Sequence, residues 1–359
     1  MRKKFNLIIL AFLVLTVTAA GSGGKKPKNL IIFIGDGMGV AQVYSAMTQS
    51  GFTMTFPAFP VTGFSITYSA NRYITDSAAG GTALATGEKT DNGMIGVRPD
   101  STIIPNLMEA AKSSGLSTGV ISTSTVTHAT PASFIAHDAS RDSYEDIAKW
   151  FLKGTADVFI GGGVDHFRAR KDNADLTADL KKMGYDVVYT LEDLRKSGSL
   201  KIAGLMADGD MPYIDTGRDP QYLADATAKA IEVLSRNKKG FVLMVEGSQI
   251  DWACHDNDMK RAVDETLDMD RAVKVAYDYA RKNGNTLIVV TADHETGGMA
   301  ITGGDVENKT VTGAFTTKGH SAVMVPVFAF GPGSQAFAGV HDNTEIGDNF
   351  RSVLLPRAE

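Results

Sequence analysis

Residues 29–39 read NLIIFIGDGMG: the apolar run Leu30 to Ile34, then Gly35, Asp36, Gly37, Met38 and Gly39. A short run with no polar alternation, closed by glycine, suits a strand buried on both faces rather than one with a wet side. The pattern recurs at Ser117 to Ile121, Asp157 to Ile160, Gly240 to Val245, Thr286 to Val290 and Pro326 to Phe330. Helical spacing lies between these runs, at Val40 to Thr48, Ile104 to Ser113, Tyr144 to Leu152, Gln221 to Ser235 and Asp258 to Arg281. Buried strands alternating with helices predict an α/β fold, a doubly wound and mostly parallel sheet with helices on both faces. One catalytic domain is expected over residues 29–359, with a more polar peripheral insertion at about 161–220 and a surface hairpin over Met299 to Thr317 turning at Gly303-Gly304.

Composition bounds the function. The chain has 359 residues, 43% of them hydrophobic, enough for a large core without staples. Cys254 is the single cysteine, so no intrachain disulfide forms. Lys and Arg number 36 against 41 Asp and Glu, and no basic block tracks a phosphate backbone, which argues against a nucleic-acid-binding surface. Arg2, Lys3 and Lys4 precede an apolar run from Phe5 to Val17 and the small residues Thr18, Ala19 and Ala20. This reads as a signal peptide over residues 1–20, too short for a comfortable membrane span, followed by a linker over 21–28. The expected address is a bacterial periplasm or the outside, where a lone buried cysteine is tolerated.

In open parallel sheets, ligands sit beyond the carboxyl ends of the strands. Three such ends carry carboxylates: Asp36 after the first run, Glu246 after Phe241 to Val245, and Asp293 after Thr286 to Val290. Gathered anions raise one another's pKa and call for a compensating cation. Asp251 and His255 stand four apart, on one face if that piece is helical, while His294 and His320 add imidazoles. Carboxylate and imidazole together suit zinc, and oxygen ligands alone suit magnesium. Thr75 to Ala83 supplies small residues for close approach, with Ser77 at a helix start. Asp76 either braces Arg141 or caps that helix. Cys254 reads as a buried apolar residue, and His137, His166 and His341 as structural or surface histidines.

Read in order, Gly35-Asp36-Gly37-Met38-Gly39, Thr75-Asp76-Ser77-Ala78-Ala79, His128-Ala129-Thr130-Pro131-Ala132, Val245-Glu246-Gly247 with Ile250-Asp251, Thr291-Ala292-Asp293-His294 and Gly319-His320 resemble the motif series of the alkaline phosphatases. The likeness runs from about residue 29 to about 350. It implies a secreted phosphomonoesterase with two zinc ions and one magnesium, acting on small phosphate monoesters, releasing inorganic phosphate and assembling as a homodimer. Asp251, His255 and His320 would hold one zinc, and Asp36, Asp293 and His294 the other, beside the nucleophile Ser77. Asp36, Thr130 and Glu246 would hold magnesium, and Arg141 would bind phosphate through its planar guanidinium. His128 and Trp252 stand where the best-known enterobacterial pattern has Asp and Lys. His128 is then either a third-site ligand or a phosphate contact through water. A phosphodiesterase sharing the two-zinc core is the runner-up, and a non-catalytic phosphate or zinc binder is disfavoured by the intact Ser77. A sulfatase is disfavoured because Ser77 lacks the Cys/Ser-x-Pro-x-Arg context.

Overall fold

The computed structural model describes residues 26–355; the expected signal peptide, residues 1–20, and residues 21–25 of the linker lie outside them. The strands in chain order are β1 (Asn29–Gly35), β2 (Val61–Ile66), β3 (Ser117–Thr125), β4 (Val158–Gly162), β5 (Asp186–Val188), β6 (Ile202–Leu205), β7 (Phe241–Gly247), β8 (Thr286–Thr291), β9 (Glu295–Thr296), β10 (Met299–Asp305), β11 (Thr310–Phe315), β12 (His320–Ser321), β13 (Val325–Phe330) and β14 (Gly339–Asp342). Ten of them form one sheet in the order β14-β2-β13-β8-β1-β7-β3-β4-β6-β5. Its pairings are parallel except where β13 meets β8 and β2, so nine strands share one direction and β13 runs against them.

Both faces of the sheet are covered, as the unbroken apolar runs require. Along β1, Ile31 and Phe33 join one core with the helices Val40–Ser50, Tyr222–Leu234 and Met259–Asn283. Leu30, Ile32 and Ile34 point the other way, into a core shared with the helices Leu107–Ser113 and Asn343–Leu354. All five side chains are fully buried, each contributing about 1.5–3 kcal/mol of transfer free energy. The Met259–Asn283 helix begins where the Asp258 carboxylate accepts from the Arg261 N–H at 3.0 Å, and it stops at Gly284.

Two expectations need correction, the hairpin's turn and one helix start, and two others gain detail. The segment 161–220 supplies β5 and β6, which extend the sheet beyond β4 as its edge. Pro326 to Phe330 is the reversed strand β13; burial on both faces gives it the same apolar look as its parallel neighbours. The hairpin β10–β11 turns at residues 306–309, with Lys309 at φ +55, whereas Gly303 and Gly304 lie within β10 opposite Thr312 and Val311 beside a bulge. The helix expected from Ile104 starts at Leu107, because Asn106 forms a capping box with Glu109. No helix among the described residues is long and apolar enough to cross a membrane.

Candidate active site

Register places the acids. Ile34, Glu246 and Thr291 lie level across β7, β1 and β8, so Asp36 and Asp293, two residues further along their chains, emerge at the same edge. The turn after β1 is tight: Gly37 has φ +70, and a Cβ there would lie 2.7 Å from Thr296 Oγ1 and 2.9 Å from Asp251 Oδ1. Only glycine lets this backbone approach the site. Asp251 and His255 ride on the helix Gln249–His255, and their side chains meet at 3.2 Å (Oδ2 to Nε2). His320 lies on β12, paired with β9, which follows His294 directly.

The histidines interlock. His320 Nε2 lies 3.2 Å from His255 Nε2 and 3.6 Å from Asp251 Oδ1, while its ring stacks on His294 at 3.6 Å between centroids. His294 Nε2 lies 3.3 Å from Asp36 Oδ1, 3.4 Å from Asp293 Oδ2 and 3.2 Å from Ser77 Oγ. Thr130 Oγ1 is 3.5 Å from Asp36 Oδ2, and Ser124 Oγ donates to Glu246 Oε2 at 3.2 Å. Three groups therefore bring their ligand atoms within 4.8 Å: Asp251, His294 and His320; Asp36, Asp293 and His294; and Asp36, His128 and Glu246. His294 is shared by the first two and Asp36 by the last two, so they form one continuous chain of candidate cation positions.

Ser77 opens the helix Ser77–Thr86 and is buried. Asp76 caps that helix through Oδ1, accepting from the Ala79 N–H at 3.0 Å, and through Oδ2 it accepts from Arg141 Nη1 at 3.0 Å. The sequence offered these roles as alternatives; the carboxylate fills both. Arg141 Nη2 lies 3.3 Å from His128 Nε2, and the Trp252 ring meets His128 edge-on at 5.7 Å. Cys254 is fully buried, with its thiol 3.5 Å from Gln42 Nε2. His137 binds the Gly96 carbonyl and Glu109, His166 stacks on Tyr144, and His341 binds the Ala338 carbonyl, all apart from the cluster.

The electrostatics call for cations. Burial, reinforced by the charges of Asp251 and Glu246, pushes Asp293 up to about 8. Burial lifts Glu246 to about 7, and burial with the neighbouring acids raises Asp36 well above the carboxylate range. Asp251 falls below that range because His255 hydrogen-bonds it and the charges of His294 and His320 offset its burial. His255 rises to about 9, chiefly through its hydrogen bond to Asp251, whereas burial drives His128 down to about 3 and His294 well below its usual value. Asp36 Oδ1, Asp293 Oδ2, Glu246 Oε1 and His128 Nδ1 are all buried without a hydrogen-bond partner. Orphaned lone pairs converging from several acids and imidazoles fit divalent cations, and zinc and magnesium match this donor set.

Several contributors escape a reading of the sequence. The Thr75 carbonyl meets His320 Nδ1 at 2.8 Å and the Lys318 carbonyl meets His255 Nδ1. Thr296 Oγ1 donates to Asp251 and lies 3.2 Å from His294 Nδ1. Carbonyls carry no residue signature; Thr296 had only its place two residues after His294 to mark it.

Comparison with known proteins agrees with this geometry. The alkaline phosphatase family profile matches residues 27–312. Alkaline phosphatase 3 of Bacillus subtilis is 37% identical, the match covering 91% of this chain and 89% of that protein. The Escherichia coli alkaline phosphatase is 32% identical over 92% of this chain and 86% of its own. The structure of the alkaline phosphatase from the Antarctic bacterium TAB5 superposes with a TM-score of 0.87 at 39% identity, covering 92% of this chain and 98% of that one. Sheet order, clustered acids and imidazoles, and likeness over nearly the full length of both chains lead to one conclusion: the chain belongs to the alkaline phosphatase family and is a metal-dependent phosphatase of monoesters.

Proposed function

We propose that the chain hydrolyses phosphate monoesters through a phosphoserine on Ser77, in a site holding two zinc ions and one magnesium. The observation that carries this reading is the meeting of Ser77 Oγ with His294 Nε2 at 3.2 Å, beside an arginine fixed by the residue that caps the Ser77 helix. Asp251, His255 and His320 would hold one zinc and Asp36, Asp293 and His294 the other, with magnesium at Asp36, Thr130 and Glu246. Bound cations there supply Lewis acidity, lowering the pKa of a coordinated hydroxyl and neutralising charge on phosphoryl oxygens. Magnesium is bound in the M3 site of the TAB5 alkaline phosphatase variants in which a histidine is replaced by Asp or Glu, whereas the third group of this chain keeps a histidine, His128. His128 faces that group from beside Arg141, with Trp252 against its ring.

Within this site the chain's own groups divide the work. Ser77 Oγ attacks phosphorus in line, forming the O–P bond as the bond to the leaving oxygen breaks, and the proton lost from the hydroxyl ends on the released alcohol. Arg141 spans two equatorial oxygens, a task that needs its fork of donors. Water then cleaves the phosphoserine, releasing inorganic phosphate and restoring the hydroxyl. In the same reading residues 1–20 direct export to the periplasm or the outside and two copies associate; the N-terminus of the exported protein and its sedimentation mass check both.

The test compares p-nitrophenyl phosphate hydrolysis at alkaline pH by the chain loaded with zinc and magnesium, a chelator-treated sample and Ser77→Ala. Ser77→Ala is expected to lose about three orders of magnitude or more in kcat. Near-full activity in that variant would rule out the phosphoserine route, and inactivity of the metal-loaded wild type on monoesters would turn attention to diesters.

A further inference from the structure

Glu295 follows His294 directly, is 3% exposed, and takes all its hydrogen bonds from neutral donors. Its Oε1 accepts from Gln42 Nε2 at 3.0 Å and from the Met299 N–H at 3.1 Å. Its Oε2 accepts from the Gly298 N–H at 3.1 Å and from the Ser321 hydroxyl. Gln42, itself fully buried, also donates to the Thr296 carbonyl at 3.0 Å. The partners thus come from three places: the helix after Asp36, the turn after Thr296, and β12, where Ser321 follows His320.

We propose that Glu295 is a positioning residue that ties the loop bearing Asp293 and His294 to the strand bearing His320, fixing the spacing of the two imidazoles. This rests on the reading of those residues as metal ligands. The backbone link between the segments is short: β9 and β12 pair over His320↔Thr296 and Ser321↔Glu295, and the Gly297 N–H donates to the Gly319 carbonyl at 2.9 Å just beyond them. A two-residue ladder does little to hold register, and the carboxylate adds a side-chain cross-link at its outer pair. His294 and His320, whose rings stack, are the chain neighbours of Glu295 and Ser321, so a shift of β12 relative to β9 would move one imidazole against the other.

The hydrogen-bond pattern also explains why a carboxylate stands there. Each oxygen receives two donors, so each must be an acceptor. A glutamine turns one of those positions into an NH2 group facing two other donors, whichever way its amide is set. An aspartate keeps both acceptors but is one methylene short of this set of partners. A buried carboxylate supplied by four donors is satisfied without a cationic partner, which leaves its negative charge available to the nearby cation cluster.

The experiment titrates the metal-free full chain with zinc against a chromophoric chelator, for wild type, Ser321→Ala, Ser321→Thr and Glu295→Gln, with thermal unfolding of each metal-free protein alongside. Ser321→Ala removes the link to β12, with the exposed Val323 N–H contact at 3.4 Å, and keeps the other three donors to Glu295, so it tests the proposal even if Glu295→Gln fails to fold. Zinc affinity at the weakened site is expected to fall about tenfold in Ser321→Ala and to return to within about twofold in Ser321→Thr, while the metal-free melting temperature stays near wild type. Wild-type zinc affinity in Ser321→Ala, or loss of affinity only in step with loss of folding, overturns the proposal. Failure of the wild type itself to bind zinc overturns the ligand assignment beneath it, a different result from normal binding by every variant.

Discussion

Asp76 illustrates how much a single residue can join. One oxygen caps the Ser77 helix, and the other accepts from the Gly93 N–H at 2.9 Å and from Arg141. Asp76→Ala is expected to cost about 1 kcal/mol of stability through the lost cap and to raise KM more than it lowers kcat, because Arg141 loses its brace. Asp76→Asn keeps a cap acceptor, so its stability should lie close to wild type while KM still rises. Denaturant unfolding and steady-state kinetics separate the two effects; an unchanged KM in both variants would show that Arg141 does not depend on Asp76. The capping role was visible in the sequence from the Asp-Ser step and the small residues after it. The pairing with Arg141, 65 residues away, was offered only as the alternative to the cap, because nothing local in the sequence shows that one carboxylate can do both. The ligand candidates were legible for the opposite reason, because each stands within a few residues of a strand end or on one turn of helix.

At the scale of elements, the Ser77–Thr86 helix is unusual in being buried at all ten positions. Its sequence, SAAGGTALAT, has no polar face, so helical periodicity could not announce it; the small residues did, by signalling close approach. A Cβ at Gly80 would lie 2.9 Å from the Asp293 carbonyl oxygen, backbone that cannot step aside without moving a ligand loop. Gly80→Ala would gain about 1 kcal/mol in helix propensity, yet the clash is expected to outweigh it, giving a less stable protein with lower kcat/KM. A rise in melting temperature with unchanged activity would contradict this packing. The elements left unread were those with weak signals: β5 and β6 have three and four residues in a polar stretch, and β2 alternates buried and exposed positions near the sheet edge. Length and burial on both faces made the central strands plain.

For the whole molecule, the clustered acids link stability to pH. Asp293 and Glu246 hold protons up to about 8 and about 7 in the fold, whereas the unfolded chain releases them near the ordinary carboxylate values, so the metal-free fold loses stability as pH rises through that range. His128 and His294 act the other way, but only below the ordinary histidine value of 6.5, above which both are neutral in either state. His255, raised to about 9, adds to the loss above neutrality. Between pH 6.5 and about 9 the metal-free protein should therefore become steadily less stable, while zinc and magnesium should flatten or reverse the trend by replacing protons at the acids. Thermal unfolding across that window, with and without metal, measures it; parallel curves would mean that the acids do not sense the cations.

The reversed strand β13 has a temporal meaning as well. Because it runs against its neighbours, its beginning rather than its end lies at the edge where the acids gather, and His320 reaches the cluster just ahead of it. The other clustered residues all belong to segments completed by His294. A chain growing from its N-terminus therefore gathers all its clustered acids before the last imidazole is made, and between His294 and His320 it carries a cation cradle short of one ligand. Closure waits until β13 has slid between β8 and β2, so the last imidazole arrives with the one reversed strand, and only the edge strand β14 is added after it.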